Sequence, residues 1–167
     1  IMPGWVGGLH GESGGTIMAT KENSRIDHGG ADEAAAAFKA LSRRLQRARG
    51  DARQILELVR EAERAVTDQC QLCKIYNLAM RTFGPCPQQA CPDAYGELSV
   101  KHLEVLCVVD PEEARLFHRF MMHYSIRQKD ANVYLARAKM EVRLDQPQRA
   151  AALLEEGLRA DAQPAEP

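Results

Sequence analysis

Aromatic residues make up only 5% of the chain. Sheets are stabilised by aromatic and β-branched side chains paired across strands, so this scarcity weighs against a strand-built core. No run of about 18 apolar residues occurs, so no segment is long and apolar enough for a membrane-spanning helix. Neither sign of charge dominates: 22 lysines and arginines face 23 aspartates and glutamates, for a net charge of −1. Such a balance gives no global attraction to nucleic acid or to an anionic membrane. The opening IMPGWVGGLHGESGGT lacks the basic and then apolar pattern of a secretory signal. Five cysteines, an odd number, then imply free thiols in a reducing compartment, cytoplasmic or nuclear. Catalytic signatures are missing too: there is no phosphate-binding glycine loop, nucleophile elbow, HExxH pair or kinase motif. His118 and His123 stand five apart and do not share a helix face. The reading is a non-enzymatic chain that requires no cofactor.

What is present favours helices. Apolar residues at 45% and charged residues at 27% give a globular balance, and 167 residues suit one domain. Alanine, leucine, arginine and glutamate dominate, all good helix formers. Residues 1–31 read as a glycine-rich arm, within which residues 1–17 look like a leader preceding a start at Met18. Residues 32–162 carry helical periodicity, and 163–167 read as a tail or linker.

Asp32 is expected to cap a first helix with Ala34, Ala37, Phe38, Leu41, Leu45 and Ala48 on one face. Gly50 ends it and Asp51 caps a second, striped by Ile55, Leu58, Val59, Ala62, Ala65 and Val66. A third spans Gln69 to Phe83. Three prolines between Phe83 and Asp93 predict a loop there. Helical pattern resumes through Leu98, His102, Val105 and Leu106. Asp110-Pro111-Glu112-Glu113 is the clearest start, with a capping aspartate, proline in the first turn and two acids on the positive helix end. That helix carries Ala114, Phe117, Phe120, Met121 and Tyr124, a stripe read mainly as core. Asp130 caps the next, through Val133, Ala136, Met140 and Leu144. Gln146-Pro147 opens the last, with Ala150, Leu153, Leu154, Gly157 and Leu158 on one face. Seven helices on short turns, without strand–helix alternation, predict an all-α fold.

Their spacing is repetitive. Ala150 matches the small residue opening the second helix of a tetratricopeptide repeat, with Tyr134, Ala138, Leu154 and Gly157 at its aromatic, small and packing places. Ala114 lies 36 positions earlier and opens a similar helix, and the first hairpin fits around Ala52. Stacked hairpins in a degenerate tetratricopeptide-like array are the preferred architecture over a plain helical bundle.

The stretch from Ala94 to Pro164 resembles the N-terminal tetratricopeptide-like domain of spindle-assembly-checkpoint kinases, above all the monopolar spindle kinase. The resemblance rests on Tyr95-Gly96 ahead of a helix, on Pro111-Glu112-Glu113-Ala114-Arg115, and on the Ala138-x-x-Glu141 helix followed by a leucine-rich one. The related benzimidazole-checkpoint kinase and the inhibitory subunit of the mitotic checkpoint complex come next. In that branch a lysine–glutamate–asparagine box lies just upstream of the repeats, as Lys21-Glu22-Asn23 does here. The resemblance covers roughly residues 32–164. It implies a mitotic, cell-cycle role in protein–protein interaction, kinetochore localisation and self-association, with a parent kinase's catalytic domain lying beyond Pro167. It also implies that the Lys21-Glu22-Asn23 box is read by the activator subunit of the anaphase-promoting ubiquitin ligase. Polar flanks suit an extended peptide signal, although so short a string also fits an ordinary linker.

Other candidate sites stand beside that box. Arg43, Arg44, Arg47, Arg49 and Arg53 form a basic end on the first hairpin, either a dock for an acidic partner or a solvated face. Cys70-x-x-Cys73 and Cys86-x4-Cys91 have the spacing of a four-thiolate zinc site, which would make the chain a metal-binding regulatory module; buried or surface thiols are the other reading, and Cys107 reads as core. An unrelated repeat adaptor gripping peptide tails would need lysine and asparagine on one face, for which Asn77 and Asn132 are candidates.

Overall fold

Four aspartates end the turns between helices, and each uses its carboxylate to hold the first free N–H groups of the helix that follows. A computed structural model describes residues 28–84 and 87–164, with side chains from residue 35 except that of Gln88. Among these residues it contains α1 (His28–Arg47), α2 (Ala52–Ala65), α3 (Gln69–Thr82), the single turn α4 (Pro87–Ala90), α5 (Pro92–Val109), α6 (Pro111–His123), α7 (Ala131–Arg143) and α8 (Pro147–Arg159). Asp51 accepts from Gln54 N at 3.0 Å, and Asp68 from Cys70 N at 2.9 Å. Asp110 accepts from Glu112 N and Glu113 N at 3.1 and 3.0 Å, and Asp130 from Asn132 N at 2.9 Å. These bonds satisfy donors that a helix start otherwise leaves unpaired.

Two boundaries depart from the expectation. α1 starts a turn before Asp32, with Gly29 and Gly30 inside it. Glycine costs least at a helix end, where N–H groups have no intrahelical partner, and the alanine run carries the helix onward. The segment between Phe83 and Asp93 is not one loop: it holds α4, and α5 already begins at Pro92. Proline loses nothing in a first turn, where its missing N–H would have been unpaired. Consequently Tyr95 and Gly96 lie inside α5, not ahead of it. A Cβ at Gly96 would meet the Arg127 side chain at 2.6 Å, so the glycine makes room for that arginine, which donates to the Asp93 carbonyl at 3.1 Å.

The architecture is an all-α array of helices packed on their sequence neighbours. α1 lies on α2 and α3, α3 on α5, α5 on α6 and α7, and α7 on α8 in the most extensive pairing of the fold. α5 is the central rod, touching α2, α3, α4, α6 and α7, and it buries Leu98, Leu103 and Leu106. Small residues set the close approaches, as the repeat pattern requires. Ala114 and Ala150 are buried, and a Cβ on Gly157 would stand 3.0 Å from Cγ of Tyr134. The expected apolar face of α8 is only half used: Ala150 and Gly157 pack inward, while Leu154 and Leu158 are 42% and 79% exposed. In α6, Ala114 and Met121 are core, Phe117 and Phe120 half-buried, and Tyr124 ends the helix exposed. Past α8 the chain turns back: Gln163 donates to the Lys129 carbonyl and its own carbonyl accepts from Ala131 N, both at 2.9 Å. Gln163, expected to begin the tail, therefore belongs to the α7–α8 unit.

Ionic links tie the rods together. Glu63 of α2 accepts from the Tyr76 hydroxyl of α3 at 2.6 Å and from Lys101 Nζ of α5 at 2.9 Å. Glu141 of α7, 1% exposed, accepts a fork from Arg115 of α6 at 3.0 and 2.9 Å and pairs with Arg137 at 2.9 Å. The two guanidiniums, Arg115 foremost, hold its carboxyl below the usual range.

Candidate protein-interaction surface

The predicted sites fall in different places. Lys21, Glu22 and Asn23 lie outside the described residues. Arg43, Arg44 and Arg47 stand exposed on the last turns of α1, and α2 answers Arg44 with an acid. Both terminal nitrogens of Arg44 donate to Glu61 at 2.7 Å, which raises the arginine's pKa and lowers that of the glutamate. Arg53 pairs with Glu57 at 3.2 Å. The expected basic end is thus a mixed-charge surface, with a shallow cavity of about 360 Å³ in which Arg44 and Arg47 face Glu57 and Glu61.

The cysteines do not gather. Cys70 is exposed, Cys73 and Cys91 are partly buried, and Cys107 is in the core. Among the described residues no three histidine, cysteine or acidic side chains come together as a metal site, and Cys86 lies outside them. Among the described residues, Cys70 and Cys73 sit on the first turns of α3 and Cys91 precedes α5 without forming a cluster with them. Burial pushes the Cys107 thiol up to about 11 and also raises Cys73, with nearby Cys70, Asp110 and Glu113 adding to the latter. Neither is an activated thiolate. His102 and His118 are core residues, held neutral by desolvation with pKa values lowered to about 4, and His118 additionally faces Arg137.

Two further clefts among the described residues have the size of a binding site. One, about 390 Å³, opens between α1, α2 and α3 over Phe38, Leu41, Ala62 and Val66, with the Arg44–Glu61 pair at its rim. Its two charged groups, Arg44 and Glu61, are paired with each other. The second is a groove in which α3 and α6 form opposite walls; both pack on α5 and not on each other. Its two adjoining halves measure about 410 and 480 Å³ and share Asn77, Arg81 and Glu113. Lys74, Asn77 and Arg81 recur on the exposed face of α3 at the spacing of one helix side. The opposite wall offers Leu116, 53% exposed, with the half-buried rings of Phe117 and Phe120 stacked 5.8 Å apart.

The floor of this groove includes His102, only 3% exposed, whose ring lies 4.8 Å from that of Phe117 and 5.9 Å from that of Tyr76. Its Nε2 is 4.0 Å from Cys73 Sγ, and its Nδ1 has no hydrogen-bond partner among the described residues. Of the adaptor candidates, Asn77 lines the groove whereas Asn132 sits exposed on the first turn of α7. Lys74, Arg81 and Leu116 were not singled out from the sequence. The Lys74–Asn77–Arg81 spacing and a leucine beside the main stripe of α6 were the available signals. Compared with protein-family models, with curated proteins and with solved structures, the chain finds no match.

Proposed function

We propose that this chain is a non-catalytic protein-interaction module serving a spindle-assembly-checkpoint protein in mitosis, acting in kinetochore localisation or partner binding. The observation that carries the interaction reading is the open groove between α3 and α6, built on rigid helices and edged by exposed apolar and charged side chains. Rigid helical arrays recognise partners through such preformed surfaces with little ordering cost. The most strongly perturbed histidines and the Cys107 thiol are packed into the core, where they shape the rods. The checkpoint assignment rests on the sequence resemblance, and Lys21-Glu22-Asn23 would add a peptide signal to the ubiquitin-ligase activator. Exposed Leu154 and Leu158 on α8 are compatible with self-association or with a further packed element.

The test is localisation of the full chain, fused to a fluorescent protein, in mitotically arrested cells. Enrichment at kinetochores is expected; uniform distribution in arrested cells removes the checkpoint role. Replacing Lys21, Glu22 and Asn23 by alanine tests the arm separately, through ubiquitination and co-purification with the ligase activator.

A further inference from the structure

The groove walls differ in chemistry. On α3, Lys74 and Arg81 are exposed and have no carboxylate within ion-pair distance among the described residues, with Asn77 between them. Elsewhere in this fold charges are paired between helices, as in Arg60–Glu97 and Lys101–Glu63. On α6, Leu116, Phe117 and Phe120 supply an apolar and aromatic edge. Glu113 stands at the start of that wall, and Asp110 beside it is engaged as the cap of α6. The walls therefore differ in sign and character: two unpaired cations stand on α3, while α6 offers hydrophobic side chains with acids confined to its first turn.

A second, independent feature lies in the floor. Buried polar atoms are nearly always hydrogen-bonded, yet His102 lines the groove with Nδ1 unpartnered by any described residue. That atom is closed off from solvent and the ring packs against Tyr76 and Phe117, so the floor is a firm surface and not itself a contact for a ligand. The only other buried side-chain atoms without a partner among the described residues are His118 Nε2 and Arg137 Nε, and neither residue lines this groove.

We propose that the α3–α6 groove docks a short segment of a partner protein in which carboxylates flank apolar side chains. The carboxylates face Lys74 and Arg81, and the apolar groups pack on Leu116, Phe117 and Phe120. This rests on the interaction-module reading and names its surface and the partner's chemistry. Rim charges of this kind steer association and select against the wrong sign, while the aromatic wall supplies most of the buried apolar area. Glu113 opposes a carboxylate in the groove, so it limits affinity and favours an orientation with the acids on the α3 side.

The probe is a fluorescein-labelled peptide of glutamate, leucine and phenylalanine, Glu-Glu-Leu-Phe-Glu-Leu-Phe-Glu, against the same peptide with lysine for every glutamate. Anisotropy titrations use the full chain. The acidic probe is expected to bind at least about tenfold tighter than the lysine probe, and less tightly as salt rises. Arg81→Glu and Leu116→Glu each weaken the acidic probe by about tenfold, Glu113→Gln strengthens it by roughly two- to fivefold, and Arg149→Glu on exposed α8 changes nothing. The replaced side chains at Arg81, Leu116 and Glu113 are exposed, so circular dichroism and melting confirm that each variant is folded.

Equal binding of the two probes overturns the proposal. So does unchanged affinity in a folded Arg81→Glu variant, or loss of binding on Arg44→Glu in its place, which would move the site to the α1–α2 surface. Probe binding without kinetochore enrichment removes the checkpoint role and leaves the groove; enrichment without probe binding does the reverse.

Discussion

Acid should loosen this fold well before its carboxylates titrate, because two of its core residues are neutral histidines. His102 and His118 are 3% and 5% exposed, and desolvation lowers both to about 4 from the ordinary 6.5. The unfolded chain binds these protons at higher pH than the folded one, so stability is complete above about pH 6.5 and falls as pH drops toward 4. A pKa unit is worth about 1.4 kcal/mol, so each histidine removes about 2 kcal/mol between pH 7.5 and pH 5, and about 4 kcal/mol for the pair is the upper limit. Glu104, raised chiefly by burial, works in the opposite direction near its own range. Urea unfolding followed by far-ultraviolet circular dichroism at several pH values reads the slope directly. In a His102→Phe, His118→Phe double variant most of that slope should vanish, whatever overpacking does to absolute stability, because the rings of Tyr76, Phe117 and Tyr134 already surround the two sites. A wild-type midpoint that does not change between about pH 7.5 and pH 5, or a slope kept by the double variant, would refute the reasoning.

Three further perturbations probe the joints between helices. Glu141→Gln removes the charge that neutralises Arg137 and Arg115 in the α6–α7 interface and should cost about 2–4 kcal/mol near neutral pH, read from denaturant midpoints. Because the carboxyl titrates below its usual range, the wild type should converge on the variant only as pH falls through that lowered value. Gly157→Val, which drives a branched side chain into Tyr134, should cost about 1–3 kcal/mol in thermal melts, and a neutral result would mean α7 and α8 can part freely. Asp110→Ala removes the acceptor for two N–H groups and should cost about 1–2 kcal/mol with an unchanged denaturant slope.

Local chemistry was the legible part of this fold. Asp51, Asp110 and Asp130 cap where the sequence places them, since a cap needs only its own carboxylate and the next few N–H groups. Proline was ambiguous for the same local reason: at Pro111 it sits behind an evident cap, whereas Pro92 follows Cys91, whose side chain makes no capping bond, so the start of α5 was hidden inside an apparent loop. Burial was less legible because it depends on what another element covers. Leu154 and Leu158 share a periodic stripe with Ala150 and Gly157, yet only the small pair faces α7, where Tyr134 demands close approach.

The basic end and the groove show the same dependence from opposite sides. Arg44 looked free because the acid that meets it lies 17 residues away in sequence, and Glu61 claims both its terminal nitrogens once the hairpin closes. Lys74 and Arg81 looked ordinary on an irregular α3, whose other face buries Leu72, Ile75, Tyr76 and Ala79. They become distinctive only when α5 holds α6 across from them, leaving two cations opposite a row of apolar side chains. Counting charges along a sequence thus overrates clustered arginines that antiparallel packing neutralises. It underrates spaced cations whose opposite wall is supplied by a helix more than thirty residues away.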